Sequence, residues 1–251
     1  MAEGLLVLCF GDATKFAAEL LGAGKSYVAT LRLGLRTSTG DAEGDVVTRR
    51  PVSVTQEQFR RMLEAFRGDI FQVPPMYSAL KRGGRPLYEY ARKGIEIERL
   101  PRKVTIDKLE LVGLTGAEAV LAVSCSKGTY VRTLAEDIGE ALGCGAHLTR
   151  LIRTAIGAFR IEQAHRFEDL ESRAQERPFD LLLPADALVR ELPDVLLSDA
   201  EELAFAQGRP LDLARAAPGR IRVYGTGGRF IGLGYGDGAG KLLPKRLIRA
   251  A

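Results

Sequence analysis

The sequence predicts an α+β protein with a small β-rich module at its C-terminal end. Three observations carry this. Apolar residues alternate between a period of 2 and a period near 3.6 along residues 26–142, with no regular strand–helix–strand repeat of a doubly wound fold. After Pro193 the chain becomes Gly-rich, with short strand-like runs between tight turns. A length of 251 residues accommodates one large domain and one small one.

The elements follow in order. Residues 4–10 read as an apolar core segment. Tyr27, Ala29, Leu31 and Leu33 alternate over 26–34, so this segment is a strand with those four side chains on one face. Residues 35–45, rich in Thr, Ser, Gly and Asp, form a loop. Thr55 begins a helix: it is a good N-cap with Gln58 three residues on, and Val54 is placed to staple onto Phe59. Phe59, Met62, Leu63 and Phe66 supply the apolar stripe, and Gly68 stops it. Val104, Ile106, Leu109 and Leu111 mark a strand, and 119–125 a second. A helix starts near Thr129 with Val131, Leu134, Ala135, Ile138 and Leu142 inward and Gly143 at its C′ position. Pro178, Pro184 and Pro193 punctuate a looser stretch, which sets the domains at 1–180 and 192–251. Ser198 and Glu201 form a capping box for a short helix ending at Gly208. Strands are expected at 220–224, 229–235 and 241–248.

Composition narrows the function. Hydrophobic residues at 46% and charged residues at 27% are ordinary for a globular chain. No apolar run reaches the ~20 residues of a membrane helix, and Glu3 stands where a signal peptide carries positive charge, so a cytoplasmic location is expected. Three scattered cysteines (Cys9, Cys125, Cys144) make no disulfide framework. The net charge of +4 is modest but clustered. Lys81, Arg82, Arg85, Arg92, Lys93, Arg99, Arg102 and Lys103 form one group, with Tyr77, Tyr88 and Tyr90 interleaved, and Lys245, Arg246 and Arg249 form another. Cations for phosphate alternating with rings for bases compose an RNA-binding surface; a solvated basic face is the plainer alternative. Other patterns fail. Cys144 and His147 have a C-x-x-H spacing with no second pair for zinc. The run from Gly22 to Ser26 ends like a phosphate-binding loop, but Glu19 occupies the position of its first glycine and a strand follows. Asp41, Glu43 and Asp45 lack calcium-loop spacing, and the glycines from Gly225 to Gly240 make no dinucleotide fingerprint.

Three blocks carry the chemistry. The first runs from Gly4 through Cys9-Phe10-Gly11-Asp12-Ala13-Thr14-Lys15-Phe16 to Lys25-Ser26-Tyr27. The second is Val73-Pro74-Pro75-Met76-Tyr77-Ser78-Ala79-Leu80-Lys81, continuing to Leu87-Tyr88-Glu89-Tyr90-Ala91-Arg92-Lys93-Gly94. The third is Cys125-Ser126-Lys127-Gly128-Thr129-Tyr130-Val131-Arg132-Thr133-Leu134, followed by Gly143-Cys144-Gly145-Ala146-His147-Leu148. In this order and spacing the chain resembles the TruB family of bacterial tRNA pseudouridine synthases. The resemblance implies a pseudouridine synthase catalytic domain with a mixed or antiparallel sheet, followed by a PUA-like RNA-binding domain. It implies isomerisation of the T-loop uridine (position 55) of tRNA, with no cofactor, no metal, the tRNA T arm as partner, no protein partner and a monomeric state.

It also implies roles for single residues. Tyr27 is the ring on which a flipped uracil stacks, and its hydroxyl a candidate for proton transfer. Arg132 lies in the first turn of a helix, where a cation opposes the helix dipole and needs a compensating partner; by resemblance it pairs with the catalytic aspartate. Tyr130 and Leu151 line the uracil pocket. Lys81, Arg82, Arg85, Lys127, Lys245 and Arg246 are candidate RNA contacts. In the family, a G-T-L-D-P motif carrying the nucleophilic Asp comes immediately before the segment that aligns with residues 1–6, and these 251 residues do not contain it. The expectation is a chain inactive as it stands, either a fragment or misplaced start of an active enzyme, or a non-catalytic tRNA-binding protein or tRNA-folding helper.

Overall fold

A computed structural model describes residues 2–174 and 179–249; Pro178 lies outside them. The chain divides into two compact units. One comprises the residues up to Leu5 together with Ala23–Gln163, the other Leu6–Gly22 with residues from Ala164 onward. This division differs from the spans 1–180 and 192–251 in that residues 6–22 and those from Ala164 onward group with the C-terminal part. Among the described residues no helix is long and apolar enough to cross a membrane.

The first unit contains strands β1 (Ala2–Gly4), β2 (Lys25–Leu33), β3 (Leu35–Thr37), β4 (Val46–Arg49), β5 (Gly68–Gln72), β6 (Lys81–Arg82), β7 (Arg85–Pro86), β8 (Arg102–Thr115), β9 (Glu118–Cys125), β10 (Ala146–Ile156) and β11 (Phe159–Arg160). A mixed sheet runs in the order β1-β10-β2-β9-β8-β5, with β11 on β10. Only β1 is parallel to its neighbour. The alternation read over 26–34 is realised: Ala29, Leu31 and Leu33 are buried and Tyr27 packs beside them. Ile106 and Leu109 are both buried although three residues apart, because the ladder skips Asp107 in a β-bulge that resets the alternation. Leu5 is buried, but Leu6, Leu8 and Phe10 are exposed, so 4–10 is not a continuous core segment.

Helix α1 (Ala18–Gly22) belongs to the second unit, while α2 (Gln56–Leu63), α3 (Leu87–Ala91) and α4 (Val131–Ala141) belong to the first. Thr55 caps α2 as its sequence requires: Gln58 N donates to Thr55 Oγ1 and Thr55 N to Gln58 Oε1. The α-helix stops at Leu63 and a 3-10 turn, Glu64–Phe66, carries the rest of the stripe. Along α4, Val131, Leu134, Ala135 and Ile138 face the core.

Gly139 fixes where α4 lies. A Cβ there would fall 2.1 Å from Ala146 N and 2.4 Å from Gly145 C, so helix and strand pack backbone to backbone. Gly139→Ala is therefore expected to lower stability by about 1–3 kcal/mol, the scale of overpacking, read as a lower urea midpoint with unchanged slope.

The second unit holds α5 (Phe167–Ala174), α6 (Asp199–Ala206) and strands β12 (Asp194–Leu196), β13 (Leu211–Asp212), β14 (Gly219–Tyr224), β15 (Phe230–Gly236) and β16 (Lys241–Leu247). Their order is β12-β14-β15-β16-β13. Ser198 N and Oγ both donate to Glu201 Oε2, which starts α6. Phe205, Ile221, Val223 and Leu242 are fully buried in the main cluster. Residues 6–22 join this unit through Phe16, whose ring centroid is 5.4 Å from that of Phe230, and through Lys15 Nζ, which donates to Leu247 O at 2.8 Å.

Candidate active site and RNA-facing residues

Tyr27 stands on β2 at the centre of the first unit's sheet, in register with Arg153 of β10 on one side and Val123 of β9 on the other. Leu151 pairs with Ala29, two residues along. Facing residues of adjacent strands share a face, so Tyr27, Leu151 and Arg153 lie on one side of the sheet. Burial pushes the Tyr27 hydroxyl's pKa up, Cys125 adds to this, and Arg153 works against it. The phenol therefore keeps its proton near neutrality.

Arg132 is the second residue of α4, two residues closer to the helix start than a start at Thr129 implies. Its guanidinium ties three segments together. Nη1 is 2.7 Å from Asp41 Oδ2 and donates weakly to Thr39 O, while Nη2 donates to Tyr77 O at 2.6 Å. The carboxylate is firmly held: Thr39 Oγ1 and Glu43 N both donate to Asp41 Oδ1, at 2.6 and 3.1 Å. The turn carrying it is pinned to β10 by Leu148 N donating to Gly40 O. Burial alone would raise the Asp41 pKa, but the hydrogen bonds from Thr39, Arg132 and Glu43 outweigh it and hold the carboxyl below its usual value. One turn further along α4, burial pushes Glu136 up, with Arg36 opposing.

The carboxylate beside Arg132 in this structure is thus Asp41, which by sequence alone belongs to a polar turn. Its Thr-x-Thr-Gly-Asp setting offers local hydrogen bonds for a buried Asp, and that was the only signal available. Tyr130 precedes α4, and Gln72, buried at the end of β5, holds its backbone on both sides: Tyr130 N donates to Gln72 Oε1 and Gln72 Nε2 to Tyr130 O. Sequence reasoning missed Gln72 as well.

The candidate RNA contacts fall in three places. Lys81, Arg82 and Arg85 are exposed on the β6–β7 hairpin, with no carboxylate at ion-pair distance among the described residues. Lys127 is exposed in the turn before α4. Lys245 and Arg246 are exposed on β16 of the second unit. Cys144 and His147 are buried, His147 Nδ1 lying 3.0 Å from Leu35 O, and no cluster of three or more metal-binding side chains exists among the described residues.

Comparison with known proteins agrees along the whole chain. Residues 1–131 match the model of the TruB family pseudouridylate synthase N-terminal domain. Residues 132–190 match the tRNA pseudouridylate synthase B C-terminal domain, and 193–248 the C-terminal domain of pseudouridine synthase II TruB. The tRNA pseudouridine synthase B of Aromatoleum aromaticum is 54% identical over 99% of this chain and 80% of that relative. That of Chromobacterium violaceum is 53% identical over 99% of this chain and 82% of its own length. Among solved structures, a chain of a Cbf5-Nop10-Gar1 complex superposes with a TM-score of 0.69 at 22% identity, covering 95% of this chain and 69% of that one. A chain of an H/ACA RNP bound to a substrate RNA containing 2'-deoxyuridine gives 0.68 at 21%, covering 95% and 70%. These two speak for the fold; the family models and the close relatives establish that the chain belongs to the TruB family of pseudouridine synthases.

Proposed function

We propose that this protein acts on tRNA, isomerising the T-loop uridine (position 55) to pseudouridine. The observation that carries this is Arg132, fixed in the first turn of α4 by Asp41 and Tyr77 in a chain about half identical to proteins named tRNA pseudouridine synthase B. A guanidinium anchored to backbone and carboxylate is pre-organised to hold a second anionic group without paying to orient itself. Tyr27 supplies a ring for the flipped base, with Leu151 and Tyr130 lining its pocket. Lys81, Arg82, Arg85, Lys127, Lys245 and Arg246 meet the RNA backbone. On this reading 1–180 is the catalytic domain, 192–251 a PUA-like module, and the protein works as a cytoplasmic monomer. Isomerisation adds and removes no atoms, so no cosubstrate is required.

The motif G-T-L-D-P does not occur within residues 1–251; a second reading of these residues is a tRNA binder without turnover. Both readings require tRNA binding, so binding is tested first. Affinity for a tRNA transcript is expected to fall steeply between 50 and 200 mM salt, as for any complex built on phosphate contacts. Replacing Lys81, Arg82 and Arg85 together by Glu is expected to weaken binding at least tenfold. It should also flatten the slope of log affinity against log salt by about 1 for each phosphate no longer neutralised. An unchanged slope would assign these side chains to solvent.

A further inference from the structure

We infer that the exposed end of the β14–β15–β16 sheet binds an unpaired nucleotide of an RNA chain, with its base stacked on Tyr235 and its phosphate held by Lys245 and Arg246. This rests on the reading of the protein as an RNA binder and on no chemistry in the first unit. Tyr235 is 42% exposed on a strand whose other residues are all buried. It is in register with Arg220 of β14 and Leu243 of β16, so those side chains flank it on the same face. The pairing passes from Leu233–Arg246 to Gly234–Pro244, leaving Lys245 as the extra residue of a bulge. A bulge re-aims side chains that a regular ladder would send to opposite faces. Here it brings the Lys245 ammonium 5.6 Å from the centre of the Tyr235 ring, beside Arg246.

Among the described residues several arginines of the same unit are compensated, and these two cations are not. Arg215, Arg220, Arg222 and Arg229 of the same unit each pair with a carboxylate, from Glu201, Glu19, Asp194 and Glu202 respectively. Lys245 and Arg246 are exposed, and among the described residues none holds either in an ion pair. Two uncompensated cations beside a partly exposed ring match an anion and a flat π-face on one molecule. A nucleotide has both. An acidic peptide would satisfy the cations and leave the ring bare, and a duplex would offer phosphates with no base free to stack.

The chain has no tryptophan, so Tyr235→Trp introduces a single fluorescent reporter at the ring itself. Titration with single-stranded oligouridylate, and with tRNA, is expected to quench its emission to saturation, while a blunt RNA duplex and polyglutamate leave it unchanged. Removing both cations in that background (Lys245→Ala with Arg246→Ala) is expected to raise the concentration for half-quenching at least tenfold. By filter retention, Tyr235→Phe should bind the single strand normally and Tyr235→Ala about tenfold more weakly, the scale of one base–aromatic stack removed. Retention of tRNA and oligouridylate with no change in emission would overturn this inference alone. Equal quenching by duplex or polyglutamate would also overturn it, reassigning the patch to plain phosphate or to an acidic peptide. No retention of any RNA would overturn it together with the RNA-binding reading.

Discussion

A polypeptide of residues 1–251 alone is expected to form no pseudouridine in a tRNA transcript, while the same residues joined behind the family's G-T-L-D-P segment should turn over. The expected difference is roughly a million-fold, the scale of deleting a covalent nucleophile. Among the described residues the carboxylate at ion-pair distance from Arg132 is Asp41, and it is poorly placed to substitute for that nucleophile. Asp41 is only 4% exposed, and its oxygens already accept from Arg132, Thr39 and Glu43. A nucleophile needs a lone pair free to approach the substrate, and the hydrogen bonds that lower this pKa also lower its reactivity. Asp41→Asn in the extended polypeptide separates the two roles. As an orienting group for Arg132, Asp41 should leave measurable residual turnover when changed to Asn; as nucleophile it should leave none. Nucleoside analysis of digested tRNA by mass spectrometry reads both. Pseudouridine formed by residues 1–251 alone, and abolished in Asp41→Asn, would make Asp41 the nucleophile and refute the assignment.

What the sequence made legible was local. The N-cap pair Thr55 and Gln58, the alternation on β2, the stripe of α4 and the three C-terminal strands each depend on residues a few positions apart, and all are present in the structure. Strand β10 was missed although it is eleven residues long and pairs with β1, β2 and β11. Register shifts between Leu148 and Arg150 and between Arg153 and Ala155 break its alternation, so no period of 2 survives in its sequence. The grouping of residues 6–22 with the C-terminal unit depends on Phe16 meeting Phe230, and no periodicity reports a meeting at that separation. The same holds for the site. Arg132 was conspicuous because a cation in a first helical turn needs a reason. Asp41 became identifiable only when folding brought it across 91 positions to that guanidinium.

In the extended polypeptide, Arg132→Lys is expected to lower the single-turnover rate at least ~100-fold, the scale of removing one charge-assisted hydrogen bond at a reacting centre, with tRNA affinity little altered. The guanidinium reaches Asp41 Oδ2 with one nitrogen and Tyr77 O with the other. An ammonium keeps the charge but has no planar fork with which to satisfy both and still present a fixed edge to the substrate side. Tyr27 divides differently. Tyr27→Phe keeps the ring and removes only the hydroxyl, whose proton the buried setting retains; binding should be near normal and turnover slow. Tyr27→Leu removes the ring as well, and with it a stacking interaction worth ~1–3 kcal/mol. Rates measured with enzyme in saturating excess separate chemistry from affinity. A slow Arg132→Lys with a fast Tyr27→Phe would keep Arg132 in the mechanism and reduce Tyr27 to a stacking surface. Near-normal rates in both would leave the two side chains with structural roles only, Arg132 as the tie between α4, the Asp41 turn and Tyr77, and Tyr27 as part of the central sheet.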